Sequence, residues 1–434
     1  MKSSASHVRR IAAGRSAQTV IDQIIVSGSN FVTSIILVRG LGLTAFGEFT
    51  VAYVVLLLAN SIQLSFISSP MITLGALCAG FDERRRFVRG VFGVQLIFCA
   101  VALAATVAGT IAYFALRHDT GSRQFLLPFG AAVVLYLMQD WLRRYYFTIG
   151  KAAASVWNDA ISYLGQVVVL CVLMYMRALS IDTAFWTIAL TSGAAFAVGA
   201  LLERIGCSRL ETADAWRRIR RISLDLGVAN QLQWAVYQGA MLIGASVAGP
   251  AAAGGVRATQ NVIGPVNIAY QAMENIVPIR AAEEMRRGGI RALSSFIFRL
   301  GLAGFLILLV LFSIGALASQ RFLEVFYGHN LQAFAAVLNL QMLYFLLAWP
   351  VRQFTFLFRT IKNTGPILAS SFVAAVISLA LVYPLVRGYG ALGIVLAAVA
   401  GQIGNLVYLV AAWIKIPLTA KAEMLAPQSG SEAI

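Results

Sequence analysis

Apolar stretches of twenty or more residues recur along this chain from one end to the other, and only short polar or basic breaks separate them. A helix rises 1.5 Å per residue, so about 20 apolar residues cross the roughly 30 Å hydrocarbon core of a bilayer. The pattern predicts twelve such helices, over 17–38, 48–79, 91–116, 125–148, 154–177, 183–203, 224–247, 254–280, 294–317, 331–350, 366–386 and 391–413. The second is long enough to hold a kink at Pro70. Charged residues make up 12% of the 434 and hydrophobic ones 59%; a soluble domain carries roughly 25% charged. So few charges cannot cover the surface of a water-soluble fold of this size. The expected fold class is an all-α polytopic membrane protein with two pseudo-symmetric six-helix lobes.

The net charge of +16 is divided among the breaks rather than gathered on one face or tail, which argues for topology signals and against a nucleic-acid surface. Of the 34 Lys and Arg residues, 26 fall on one side of the predicted membrane and seven on the other, alternating break by break. Positive residues stay inside, so both termini are expected in the cytoplasm of a bacterium, with the protein multi-pass in the inner membrane. The arginines before the first span resemble a signal-peptide start, but the apolar run is too long and lacks a small-residue cleavage site.

Organisation follows from the same breaks. An N-terminal lobe is expected over 1–203, a cytoplasmic basic linker over 204–223, a C-terminal lobe over 224–413 and a cytoplasmic tail over 414–434. The linker sets Arg217, Arg218, Arg220 and Arg221 around Trp216, a composition suited to lying on anionic headgroups. Three features repeat in register between the halves. Gly42-Leu43-Thr44-Ala45-Phe46-Gly47 matches Gly249-Pro250-Ala251-Ala252-Ala253-Gly254, Pro70 matches Pro278, and the acidic-basic segment 82–86 matches 283–287. They predict a duplication with parallel repeats.

Polar residues inside a bilayer are costly and mark protein or water contacts. In the eighth span Arg257, Gln260, Asn261, Asn267, Gln271 and Glu274 follow steps of three and four, one stripe of a helix. Asn230, Gln231, Trp234 and Gln238 add a second polar set in span seven, and Asp22 a third in span one, with Arg39 near that span's outer end. These residues are expected to line a hydrated central cavity. The run Asp140-Trp141-Leu142-Arg143-Arg144-Tyr145-Tyr146 reads as an interfacial anchor, with Asn158 and Asp159 as caps of the next helix. The four cysteines are scattered, the three histidines fall in tails or breaks, and no HExxH, GxSxG or Walker-type sequence occurs. No catalytic residue, metal site or cofactor is expected.

Three segments carry a family resemblance. Ile36-Leu37-Val38-Arg39-Gly40-Leu41-Gly42 through Phe49 resembles the first outer loop of polysaccharide transporters, Phe322 to Gly328 their ninth-to-tenth connection, and Tyr389-Gly390-Ala391-Leu392-Gly393 the start of their last span. The chain thus resembles the Wzx-type oligosaccharidyl-lipid flippases of the multidrug/oligosaccharidyl-lipid/polysaccharide (MOP) exporter superfamily. The resemblance implies two six-helix lobes forming a V around a central cavity, and alternating access. It further implies an undecaprenyl-diphosphate-linked oligosaccharide as cargo, turned to the periplasmic leaflet for exopolysaccharide, O-antigen or capsule synthesis. Membrane lipids, a polysaccharide polymerase and export proteins would be partners, and nucleic acid none. A drug or cation antiporter of the same superfamily and a lipid II flippase are the alternatives. A glycan polymerase is disfavoured because the outer breaks are short.

Overall fold

A computed structural model of the chain describes residues 2–78, 80–117 and 122–415. Among them every regular element is a helix, and ten helices are long and apolar enough to cross a membrane. The two further expected spans, 224–247 and 254–280, are also helical; their Asn and Gln content lowers their hydropathy below the other ten. The expected tail falls almost wholly outside the described residues.

The chain divides into two compact units, Met1–Gln231 and Leu232–Ile434. The boundary falls inside the expected seventh span, so the basic linker and the first two turns of that span go with the first unit.

The first unit runs α1 (Lys2–Leu41), α2 (Leu43–Gln63), α3 (Ser69–Leu77), α4 (Phe81–Arg117), α5 (Ser122–Ile149), α6 (Ala152–Asp159), α7 (Gly165–Tyr175), α8 (Ile181–Glu203) and most of α9 (Arg209–Trp234). A π turn, Leu64–Ser68, joins α2 to α3, and another, Ala160–Leu164, joins α6 to α7. The first answers Pro70, which has no N–H to give the carbonyl four residues back. That carbonyl, on Phe66, accepts from the Ser223 hydroxyl at 2.6 Å instead. The break expected at Pro70 is therefore a π turn just before it, capped from α9. One face of α9 is buried here: Ala215 and Ile219 are closed off, Arg89 faces Glu211 at 3.7 Å, and Arg218 faces Glu83 at 3.3 Å. Gly90 and Gly93 of α4 leave the room, since a Cβ on either would collide with Glu211 or Thr212. The linker thus docks one face on protein, and only its outer face, with Arg217, Arg220 and the half-exposed Trp216, is left for headgroups.

The second unit contains a π turn, Ala235–Gly239, then α10 (Ala240–Ala248), α11 (Pro250–Val262), α12 (Gly264–Tyr327), α13 (Ala335–Thr360), α14 (Gly365–Tyr389) and α15 (Ala391–Lys415). Helix α12 carries two spans, separated by non-helical backbone at Gly288 and Gly289. The outer half of its second span presents Ile307, Val310, Leu311, Ile314 and Leu317 with more than half of each exposed. A water-facing stripe of that kind would be unfavourable; hydrocarbon is its natural solvent.

The two units repeat one another in packing. In the first, span one (α1) packs on span five (α6 and α7), span two (α2) on span four (α5), span three (α4) on α5, and α5 on span six (α8). In the second, span seven (α10) packs on span eleven (α14), span eight (α11) on span ten (α13), span nine (the end of α12) on α13, and α13 on span twelve (α15). Each partnership shifts by six. The matched outer loops also agree in backbone: Gly42 has φ 80°, ψ 167° and Gly249 has φ 86°, ψ 168°, a conformation open essentially to glycine alone.

Candidate functional site

The clearest arrangement of polar groups in the second unit grows from α11. Its inner side is anchored. Ala253 and Val256 are fully buried, Gln341 donates to the Val256 carbonyl at 2.9 Å, and Tyr327 donates to that of Ala258 at 3.2 Å. Arg257, Gln260 and Asn261 are left on the half-exposed side, and Arg257 donates to the Gln260 side-chain oxygen at 3.0 Å. The helix does not continue straight. Pro265 follows Gly264, and the chain turns at Ile263. A proline cannot supply the N–H that would carry α11 onward, so the stripe expected along one helix is split between two. Asn267, Gln271 and Glu274 lie beyond the turn, outside the residues whose side chains the structure describes.

Arginines and tyrosines are neighbours across this part of the unit. Arg257 lies within electrostatic reach of Tyr237, placed by the π turn Ala235–Gly239. The Tyr237 ring lies 5.1 Å from Tyr344, and Tyr344 is in turn within reach of Arg352. Arg352 stands 4.6 Å over the Tyr270 ring, a cation–π contact. Tyr270 is fixed by its hydroxyl, which donates to the Phe345 carbonyl at 2.5 Å. Two guanidinium groups therefore flank the Tyr237–Tyr344 pair, with Tyr270 beyond Arg352. Such groups give oxyanions several donors at once, in the planar fork that suits phosphate.

The expected spans leave Arg352 in the break between the tenth, 331–350, and the eleventh, 366–386. Arg352 lies inside α13, eight residues before its end at Thr360, roughly 12 Å along the helix at 1.5 Å per residue. The available signal was Pro350. A proline inside a membrane helix marks a locally opened backbone, and Arg352 follows it by two positions.

In the first unit, Asp22, expected to face the cavity, is fully buried. Arg143 bridges it at 2.5 Å and Asp159 at 2.8 Å. Gln139 donates to both Asn158 and Asp159, at 2.9 and 2.8 Å, and Asn158 donates to the Ala195 carbonyl at 2.9 Å. This network ties α1, α5, α6 and α8 together. The run 140–146 is accordingly no headgroup anchor. Trp141 and Leu142 are fully buried, Arg143 nearly so, and Asn158 and Asp159 are core partners rather than caps. A charge run at a helix end reads alike from sequence whether it meets lipid or protein; the opposite charge supplied by α1 and α6 decides the matter.

The remaining expected site residues lie on both units. Arg39 is exposed in the last turn of α1, and Asn230 is exposed on α9. Gln231 donates to the Ser61 hydroxyl at 3.1 Å within the first unit. Trp234 is half-buried, and so is Gln238, whose side-chain oxygen has no hydrogen-bond partner among the described residues.

No family model and no curated protein sequence matches the chain. Solved structures do. The chain is similar to the lipid II flippase MurJ in an inward closed conformation, with TM-score 0.71 at 11% identity over 94% of this chain and 89% of that one. The chain shares that structure's fold. An inward-facing multidrug resistance MATE transporter of the MOP superfamily matches with TM-score 0.64, at 13% identity over 95% of this chain and 96% of the other. A MOP superfamily transporter from Pyrococcus furiosus, described as having a binding pocket of reverse polarity, matches with TM-score 0.62, at 14% identity over 96% and 95%. At these identities the likeness shows a common fold and leaves cargo to be argued from this chain's own residues.

Proposed function

We propose that the chain is a MOP-type transporter that turns a polyprenyl-diphosphate-linked oligosaccharide from the cytoplasmic to the periplasmic leaflet of a bacterial inner membrane by alternating access. The observation that carries this reading is the Arg257–Tyr237–Tyr344–Arg352–Tyr270 array. A diphosphate taken below the headgroups needs cationic partners, because an anion buried without them is strongly disfavoured. Half-exposed side-chain amides such as Gln260 and Asn261 suit sugar hydroxyls. A drug antiporter for cationic compounds would place carboxylates where this unit places arginines. Lipid II is the second reading. It shares the diphosphate and the polyprenyl chain, and the similarity to MurJ favours it.

Deleting the gene separates the readings. Loss of a surface or secreted polysaccharide, with its lipid-linked repeat unit left facing the cytoplasm, is the expected result. Arrest of peptidoglycan synthesis with accumulated lipid II would move the assignment to the second reading. Unchanged glycans with new drug sensitivity would overturn both.

A further inference from the structure

Past its dock on α4, helix α9 turns a second close face to span two. Ser223, Gly227 and Gln231 recur every four residues, so they share one stripe of the helix. The Ser223 hydroxyl donates to the Phe66 carbonyl at 2.6 Å. Gly227 is buried, and a Cβ on it would collide with the Phe66 ring. The Gln231 amide donates to the Ser61 hydroxyl at 3.1 Å and to that of Ser65 at 3.4 Å. All of these residues belong to the first unit. On the α9 side they cover the start of the expected span seven, at the end that loop charge predicts to be cytoplasmic.

This contact differs from the dock beside it. The dock is held by the ion pairs Arg89–Glu211 and Arg218–Glu83 and closes off Ala215 and Ile219. The contact with span two is made by neutral groups, and interhelical hydrogen bonds of that kind are individually weak in a membrane. Both of its sides are jointed. The π turn Leu64–Ser68 lies in the contact itself, and the π turn Ala235–Gly239 starts about one turn past Gln231; helices kink at such turns. Gln231 is also the last residue of the first unit, so span seven changes unit directly after the contact.

We propose that this contact is a releasable inner latch: span two bends at its π turn and parts from Gly227 and Gln231 to admit cargo from the cytoplasm, then closes on them again, while α9 keeps its dock on α4. The polar groups suit such a cycle. Once parted, Ser61, Ser65 and Gln231 offer hydroxyls and an amide that water can satisfy, so opening leaves no polar group stranded. The latch rests on the alternating access of the reading above and is independent of which groups hold the cargo.

Two measurements test it on the full chain with its four native cysteines replaced by alanine. The first needs no cargo. Ser65 is almost fully buried, so Ser65→Cys should react slowly with a membrane-impermeant thiol reagent on the cytoplasmic face of inverted vesicles. Adding Gly227→Val, which holds α9 off the Phe66 ring, should speed the labelling several-fold. The second closes the latch covalently. Ser61→Cys/Gln231→Cys, joined by a short reducible bifunctional thiol reagent, should stop flipping of an undecaprenyl-diphosphate-linked oligosaccharide in proteoliposomes, and reduction should restore it. Arg89→Cys/Glu211→Cys, joined in the same way across the dock, should flip as fast as its unjoined form. Undiminished flipping with the latch pair joined would overturn the proposal. So would equal loss on joining either pair, which would make the whole of α9 the moving part. If the unjoined chain flips none of this cargo, the functional reading fails and the labelling alone decides the latch: faster labelling with Gly227→Val upholds it, and equal rates with and without Gly227→Val overturn it.

Discussion

Arg143 shows how differently one residue type is used in the two units. Buried between Asp22 and Asp159, it is one positive charge shared by two carboxyl groups that have no access to water. Removing one partner of such a group strands the charges of the others, at about 3–5 kcal/mol. Arg143→Ala should therefore lower the unfolding midpoint strongly, and Asp22→Asn less, since Asp159 still pairs with the arginine. Equal stability of Arg143→Ala and wild type in a detergent unfolding experiment would show that the network contributes nothing. Arg257→Ala and Arg352→Ala, on half-exposed positions, should leave the midpoint within about 1 kcal/mol of wild type while reducing transport. Sequence showed that these residues were polar and within helices, or near their ends. It was silent on which of them met an opposite charge, because Asp22 and Arg143 are 121 residues apart.

At the scale of elements, local chemistry carried most of the fold. Hydropathy marks the helices, Pro70 and Pro265 mark two of their interruptions, and Gly42 and Gly249 mark the matched outer turns. What could not be read locally is docking. Helix α9 has the composition of a headgroup-binding segment, yet it lies on α4 because Gly90 and Gly93 leave room there. The consequence is testable. A cysteine at Ala215, buried in the wild type, should resist a water-soluble thiol reagent. Adding Gly93→Val should expose it, because the new side chain collides with Thr212 and lifts the helix. Labelling of Ala215→Cys at the same rate with and without Gly93→Val would contradict the docking. The capping of Phe66 by Ser223 belongs to the same interface, and Ser223→Ala should weaken it by about 1 kcal/mol.

For the whole molecule, the packing order that recurs with a shift of six spans accounts for the sequence repeats and sets the topology. With six spans in each unit, both are expected to begin on the same side of the membrane, and the excess of basic residues in the breaks predicts which side holds the termini. Reporter fusions after Asp82 and Ala213 should read cytoplasmic, and fusions after Asn330 periplasmic; reversal at two of these sites would break the assignment. The central claim is that the arginines of the second unit hold a diphosphate during passage through the membrane. Its most direct measurement is flipping of an undecaprenyl-diphosphate-linked oligosaccharide in proteoliposomes, read by protection of the sugar from an external glycosidase. Wild type should translocate it, Arg257→Glu and Arg352→Glu should each slow it at least about tenfold, a loss of about 1.4 kcal/mol or more, and Arg257→Lys should keep part of the rate. Translocation by both charge-reversed variants at the wild-type rate would contradict the claim.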